Sequence, residues 1–333
     1  MAPPAVTPFR PARWLPGGHT QTLFAPLLRR PPALPRRRQR LALEDGDFLD
    51  LDWLEQRQPD APLLILLHGL TGSSASSYIL GQQQAAAALG WDTLAVNWRG
   101  CSGEPNQRAR SYHSGASEDL AELLAHLRSR WPQRRMAAIG FSLGGNLLLK
   151  YLGEAGEAAA LQAAVAVSVP FRLDHSALRI RHGFSRVYQA RFMRDLLAYV
   201  RTKQRLFEHH GRHAEAARLT ALGSLDGLDS LWDFDDRVTA PLHGYASAED
   251  YYRRCSSRFF LPQIRVPTLL VQALDDPFVY PQSLPQANEL PDCVIFELHA
   301  RGGHVGFVEG PPWRPAYYLE RRLPLWLQQQ LCH

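Results

Sequence analysis

The sequence predicts a doubly wound α/β fold: a mostly parallel central sheet, an N-terminal antiparallel hairpin and a helical insertion. Three observations predict it. Short apolar runs of strand length recur along the chain. Helical stretches separate the early ones, as strand–helix alternation in such folds requires. The rhythm then breaks between about Phe171 and Leu261 and resumes afterwards. With 333 residues the chain fits either two domains or one large α/β domain carrying an insertion, and it buries a core without disulfides or metals.

The elements follow in order. Residues 40–53, RLALEDGDFLDLDW, alternate apolar and polar around Glu44-Asp45-Gly46-Asp47. That pattern predicts a hairpin with Leu49, Leu51 and Trp53 on one face. Six apolar runs come next: 63–67, 92–97, 136–141, 163–169, 268–274 and 294–298. Their apolarity is continuous rather than alternating, so they read as strands covered by helices on both faces. SYILGQQQAAAALG, SEDLAELLAHLRSRW and LGGNLLLKYLGEAG are the intervening helices, the second with Ser117 as N-cap and Glu118 and Asp119 in its first turn. Residues 171–261 form the insertion, mostly helical and rich in His, Arg and aromatics. It reads as a cap over the strands' carboxyl ends, where ligands of open α/β sheets bind. The core is then 1–170 with 262–333, and 1–40 is an extension ending in a basic linker.

Composition excludes several classes. Apolar residues make up 45% and charged residues 21%, ordinary globular usage, which excludes disordered, collagen-like and coiled-coil chains. No apolar run approaches the roughly 18 residues of a membrane span. The opening MAPPAVTPFRPARW has no apolar signal core, so a cytoplasmic protein is expected. Cys101, Cys255, Cys293 and Cys332 lack the spacing of a zinc site or disulfide framework. The net charge of +5 is local: removing Arg29, Arg30, Arg36, Arg37, Arg38 and Arg40 leaves 5 − 6 = −1. That Pro-interrupted segment carries no interleaved aromatics. It reads as an extended solvated strand rather than a nucleic-acid surface, with peripheral contact to anionic lipid open. No phosphate-binding loop follows the first buried strand, so no nucleotide cofactor is expected.

The chemistry begins at Gly140-Phe141-Ser142-Leu143-Gly144, a G-x-S-x-G between a strand and a helix. Such a turn lifts the serine hydroxyl above the sheet, glycines on either side keep it free of clashes, and the helix amides point at developing negative charge. A serine needs a base, and the base needs an orienting acid, in chain order Ser, acid, His. Asp275 and Asp276 follow one strand and His304 follows the next; spacing alone leaves either aspartate possible. The backbone amides of Leu70, in His68-Gly69-Leu70-Thr71-Gly72, and of Leu143 form the expected oxyanion hole. His68, before the oxyanion glycine, reads as structural. His209, His210 and His213 lie close together but lack a metal-ligand spacing and read as a polar helix face, so no metal is expected. Tyr188, Phe192 and Tyr199 recur at helical spacing, which serves packing or the wall of an acyl pocket equally well.

These residues resemble the YheT-type branch of α/β-hydrolases, related to the ABHD-type lipid and ester hydrolases. The resemblance runs through PARWLPGGHTQTLFAPLLRR, HGLTG, NWRGCSGEPNQRARSYHSG, GFSLGGNLLLKYLGE, DFDDRVTAPLHGY with DYY, LDDPF and GGHVGF, nearly the whole chain. It implies an α/β-hydrolase fold and a serine charge relay of Ser142, Asp276 and His304, placing the acid at the second aspartate of LDDP. It further implies a small-molecule carboxylic ester, including lipid-derived ones, as substrate; a cap that closes a finite space predicts short to medium acyl chains, and no cofactor is expected. The same triad serves acyltransferases, thioesterases and peptidases, and a hydrolase fold that only binds is the non-enzymatic alternative.

Overall fold

Five strands buried in the middle of the molecule run parallel because helices carry the chain back to the sheet, and a sixth parallel strand closes one edge. The computed structural model describes residues 7–56 and 60–331; the opening MAPPAV and Cys332 lie outside them. Helix α1 (Gly18–Leu28) comes first, then the hairpin β1 (Arg37–Ala42) and β2 (Phe48–Leu54). The alternating sheet follows: β3 (Leu63–Leu67), α2 (Ser77–Ala87), β4 (Asp92–Asn97), α3 (Ser117–Arg130), β5 (Met136–Phe141), α4 (Leu143–Ala155) and β6 (Ala163–Val167). After the insertion come β7 (Thr268–Ala273), β8 (Val294–His299), the short ribbon β9 (Val308–Glu309) and β10 (Ala316–Tyr317), and α11 (Tyr318–Leu331). The sheet order is β1-β2-β4-β3-β5-β6-β7-β8, with β3 to β8 parallel and β1, β2 antiparallel at one edge.

The apolar runs explain the layers. Successive strand residues face opposite ways. Leu63, Ile65 and Leu67 of β3 meet α3 and α4, while Leu64 and Leu66 meet α2 and α11. Both faces are covered, so both must be apolar. Leu41, Leu49, Leu51 and Trp53 of the hairpin share one face in the first of these clusters.

Three expectations need correction. Ser117 is not the cap of α3: the helix cap is Ala116, and the Ser117 hydroxyl instead donates to Glu154 and accepts from Lys150. β8 is a sheet edge, so its apolar run is not fully buried, and Ile295 is 51% exposed. The basic segment is not a solvated linker: β1 begins at Arg37. Arg38 forks onto Asp52 and Arg40 onto Asp50 across the β1–β2 ladder, Arg37 meets Glu55, Arg36 lies near Asp52 and Arg29 pairs with Glu320. The acidic residues that alternate along β2 supply the missing countercharge.

Between β6 and β7 the chain is helical: α5 (Leu173–Arg179), α6 (Ser185–His209), α7 (His213–Thr220), α8 (Leu231–Phe234), α9 (Ala240–His243) and α10 (Ala248–Cys255). A π-helical turn, Asp235–Thr239, joins α8 to α9. The segment has its own apolar cluster around Met193, Val200, Phe207, Leu219, Phe234 and Val238. Lys203 of α6 is almost fully buried and ties the segment to the loop after β4, donating to Asn106 Oδ1 (2.7 Å), Arg110 O and Ser111 Oγ. No described helix is long and apolar enough to cross a membrane.

Candidate active site

Ser142 sits between the last residue of β5 and the first of α4 with φ 52° and ψ −118°, left-handed backbone that a non-glycine residue adopts only under constraint. Its surroundings supply the constraint. A Cβ at Gly140 would collide with the Gly144 carbonyl, and one at Gly144 with the carbonyls of Leu67 and His68. The strand and helix can approach this closely only with glycine on both sides of the serine. The Ser142 amide donates to Val167 O (2.9 Å), pinning the turn to the neighbouring strand.

Asp276 and His304 lie at the carboxyl ends of the next strands. His304 Nδ1 is 2.9 Å from Asp276 Oδ2, and the aspartate is 3% exposed. Asp276 also accepts from Gln272 Nε2 (3.0 Å) and the Phe278 amide (2.8 Å), so its oxygens are fixed before the imidazole arrives. The Phe278 ring lies over the imidazole with centroids 4.2 Å apart. Asp275 does something else. Its Oδ1 accepts from the Gly303 amide (2.8 Å), bracing the loop that carries the histidine. Burial raises its carboxyl above the usual range.

The His304 loop is clamped from a distant part of the chain. Thr22 Oγ1 of α1 accepts from the His304 amide (2.8 Å), and Gln21 exchanges hydrogen bonds with both backbone groups of Val308. Gly303, with φ 61°, faces Gly18 O and Thr22 so closely that a Cβ would collide. Sequence reasoning missed α1 as part of the site; its Gly-Gly pair at 17–18 was the available signal.

Above Ser142 lies the turn after β3. A Cβ at Gly69 would stand 3.1 Å from Ser142 Cβ, which shows how close the two turns come. The Gly69 amide donates to Tyr78 OH (3.1 Å) and the Thr71 amide to Tyr112 OH (2.8 Å). Neither the Leu70 amide between them nor the Leu143 amide donates to any described residue. Two tyrosines that sequence reasoning did not single out thus orient the loop and leave one amide open. His68 is structural: its Nε2 accepts from the Trp98 amide (3.3 Å) and its Nδ1 contacts Gly69 O (2.8 Å), which places the ring proton on Nδ1. Burial pulls it down to about 4, so it is a neutral brace.

Ser142, Leu70, Leu143 and His304 all line one cavity of about 340 Å³. Its other walls are α1 (Thr22, Leu23, Pro26), α5 (Leu173, Ala177) and residues of α6, α8 and α10. Of the insertion's aromatics, Tyr188, Phe192, Phe234, Tyr251 and Tyr252 line it. The others go elsewhere. Phe184 is half exposed, Trp232 packs on Tyr252, Tyr245 meets Cys255, and Tyr199 donates to Asn106 Oδ1 (2.7 Å). Tyr188 OH lies 3.2 Å from His19 Nδ1, joining α6 to α1. His209, His210 and His213 are exposed at the α6–α7 corner, and no group of three metal-ligating side chains occurs among the described residues.

Comparisons with known proteins give the fold family. A family profile described as alpha/beta hydrolase fold matches residues 62–311. The chain is 41% identical to YheT of Escherichia coli (strain K12), over 97% of this chain and 94% of that protein. It is 31% identical to mouse (Mus musculus) phospholipase ABHD3, over 99% of this chain and 80% of that one. The solved structure of the Pyrococcus furiosus esterase Pf2001 superposes with a TM-score of 0.58 at 17% identity, covering 90% of this chain and 91% of that chain. A match of that identity speaks for the fold alone, but the profile spans most of the chain and the curated relatives span nearly all of it. The chain belongs to the alpha/beta hydrolase fold family.

Proposed function

We propose that the protein is a serine hydrolase that cleaves carboxylic esters through an acyl-enzyme, with Ser142, His304 and Asp276 as its charge relay. The observation that carries the reading is the Asp276–His304 hydrogen bond at the rim of the cavity that Ser142 enters from its strained turn. Ser142 Oγ attacks the ester carbonyl while His304 Nε2 takes its proton. Asp276 holds Nδ1–H and stabilises the imidazolium. The carbonyl oxygen becomes an oxyanion between the Leu70 and Leu143 amides, at the α4 N-terminus. His304 returns the proton to the departing alkoxide, which leaves as the alcohol. Water, deprotonated by the same imidazole, then releases the carboxylic acid.

Residues 171–261 act in this reading as a cap on a core made of the remainder. The apolar side chains they contribute exclude water and receive the acyl chain. The closed walls favour short to medium chains. Relatives named phospholipase and monoacylglycerol lipase support ester cleavage over amide cleavage.

The test is labelling and turnover together. The protein should hydrolyse p-nitrophenyl esters and take a fluorophosphonate at Ser142. Ser142→Ala should lose both, with turnover falling by about six orders of magnitude. Hydrolysis that survives in Ser142→Ala would remove the acyl-enzyme from consideration.

A further inference from the structure

Asp235 opens the π-helical turn between α8 and α9 and lines the same cavity as Ser142 and His304. π turns are rare and cluster at functional sites, because the extra residue disrupts the helix ladder. Thr239 Oγ1 donates to Oδ1 (2.6 Å) and Tyr252 OH donates to Oδ2 (2.7 Å). Both donors are neutral. The carboxyl is partly buried, and desolvation pushes it up to about 6 against those two hydrogen bonds.

The fully buried carboxylates are treated differently. Asp47 and Asp119 meet Arg99, Asp50 meets Arg40, Asp52 meets Arg38, Asp92 meets Arg134 and Asp276 meets His304. These six are the buried acidic residues of the described chain, and each has a basic partner. Asp235 has none among the described residues. A buried charge without a countercharge is costly unless something supplies one. Asp235 is also the acidic residue among those that line the cavity, together with Phe234, Tyr251 and Tyr252. A carboxylate flanked by aromatic rings is the environment that attracts an ammonium group.

We propose that Asp235 is a specificity-determining residue of this cavity and that its carboxylate receives a cationic ammonium group carried by the ester substrate. The inference rests on ester cleavage at Ser142. The carboxylate supplies charge, the rings of Tyr251, Tyr252 and Phe234 supply polarisable walls, and the hydroxyls of Thr239 and Tyr252 hold the carboxylate in place. The substrate class is then a cationic ester whose ammonium and scissile carbonyl fit one enclosed space.

The test compares butyrylcholine with 3,3-dimethylbutyl butyrate, in which a neutral carbon replaces the quaternary nitrogen at the same shape. Wild-type kcat/KM should favour the cationic ester by roughly tenfold or more, the size of a partly desolvated ammonium–aromatic and carboxylate contact. Asp235→Asn should bring the ratio close to one, because the amide keeps the shape and loses the charge. Equal wild-type rates, or a preference for the neutral ester, overturn the proposal even if Asp235→Asn does not fold. So does a ratio that survives in a folded Asp235→Asn. If neither ester is cleaved and fluorophosphonate leaves Ser142 unlabelled, the hydrolase reading has failed. Tetramethylammonium then decides on Asp235 alone: it should raise the Tm of the wild type and not that of Asp235→Asn, and equal shifts in both overturn the assignment.

Discussion

The two walls of the cavity are built on opposite principles. On the sheet side the acid and the turn after β3 are held in place: Asp276 by a side-chain amide, a backbone amide and an imidazole, and the amides flanking Leu70 by tyrosines, which leaves the Leu70 and Leu143 amides open. On the insertion side, Asp235 faces the cavity with two hydroxyls and no cation. The sheet side is oriented before a substrate arrives, as reaction chemistry demands, since preorganised groups cost no rearrangement. The insertion side leaves a charge to be met by what binds.

The largest expected effect lies on the sheet side. Asp276→Asn should lower kcat by about 10⁴, because the amide leaves the His304 proton on the wrong nitrogen. Asp275→Asn should cost far less, since an amide oxygen still accepts from Gly303. Steady-state kinetics on one p-nitrophenyl ester reads both, and a reversed order would move the acid to Asp275.

On the insertion side the effect should be graded. Each acyl methylene that the cavity encloses contributes about 0.8 kcal/mol, severalfold in kcat/KM, until the space is full. Phe192→Ala should flatten that rise for chains from acetate upward while changing acetate hydrolysis least. A wild-type profile that is flat from acetate to palmitate would mean that the insertion does not receive the acyl chain.

The smallest effects are in stability, and Asp52 in the edge hairpin and Asp235 in the insertion should differ in sign. Burial opposes ionisation of Asp52, but Arg38, Ser74 and Asn97 overcome it and pull the carboxyl down to about 2. Its contribution is present above the ordinary value near 3.8 and fades as pH falls towards 2. Asp52→Asn should therefore lower Tm at pH 7 and approach the wild type below pH 2. Asp235, raised to about 6, binds its proton more tightly folded than unfolded, so its ionisation costs stability as pH rises from about 4 to 6. The Tm of Asp235→Asn relative to wild type should climb across that window. Thermal melts from pH 2 to 8 follow both.

What the sequence disclosed was local. Continuous apolar runs marked β3 to β7 because both their faces meet helices, and the elbow was legible because its glycines sit within two residues of Ser142. Other features depend on residues far apart in the chain. Ser117 was misread because Glu154 and Lys150 of the next helix claim its hydroxyl. The arginines of β1 looked solvated because their partners come from β2 and from the loop after β4. Tyr78 and Tyr112 look like ordinary packing aromatics until the turn after β3 brings amides to them. Asp235 lies in a stretch whose apolar period gives no hint of a π turn.

The clamp of α1 on the His304 loop also sets when the protein can become active. Thr22 and His304 are 282 positions apart, and their hydrogen bond closes after almost all of the chain has been made. At 5–20 residues per second, synthesis of that stretch takes on the order of tens of seconds. Throughout that time α1 waits without the loop it braces, while β3, α2, β4 and β5 can already pair. On the proposed relay, a nascent or truncated chain thus carries Ser142 with His304 absent or unbraced. Hydrolysis would begin when the earliest helix meets one of the latest loops, so that a long-range contact would serve as a timer on the reaction.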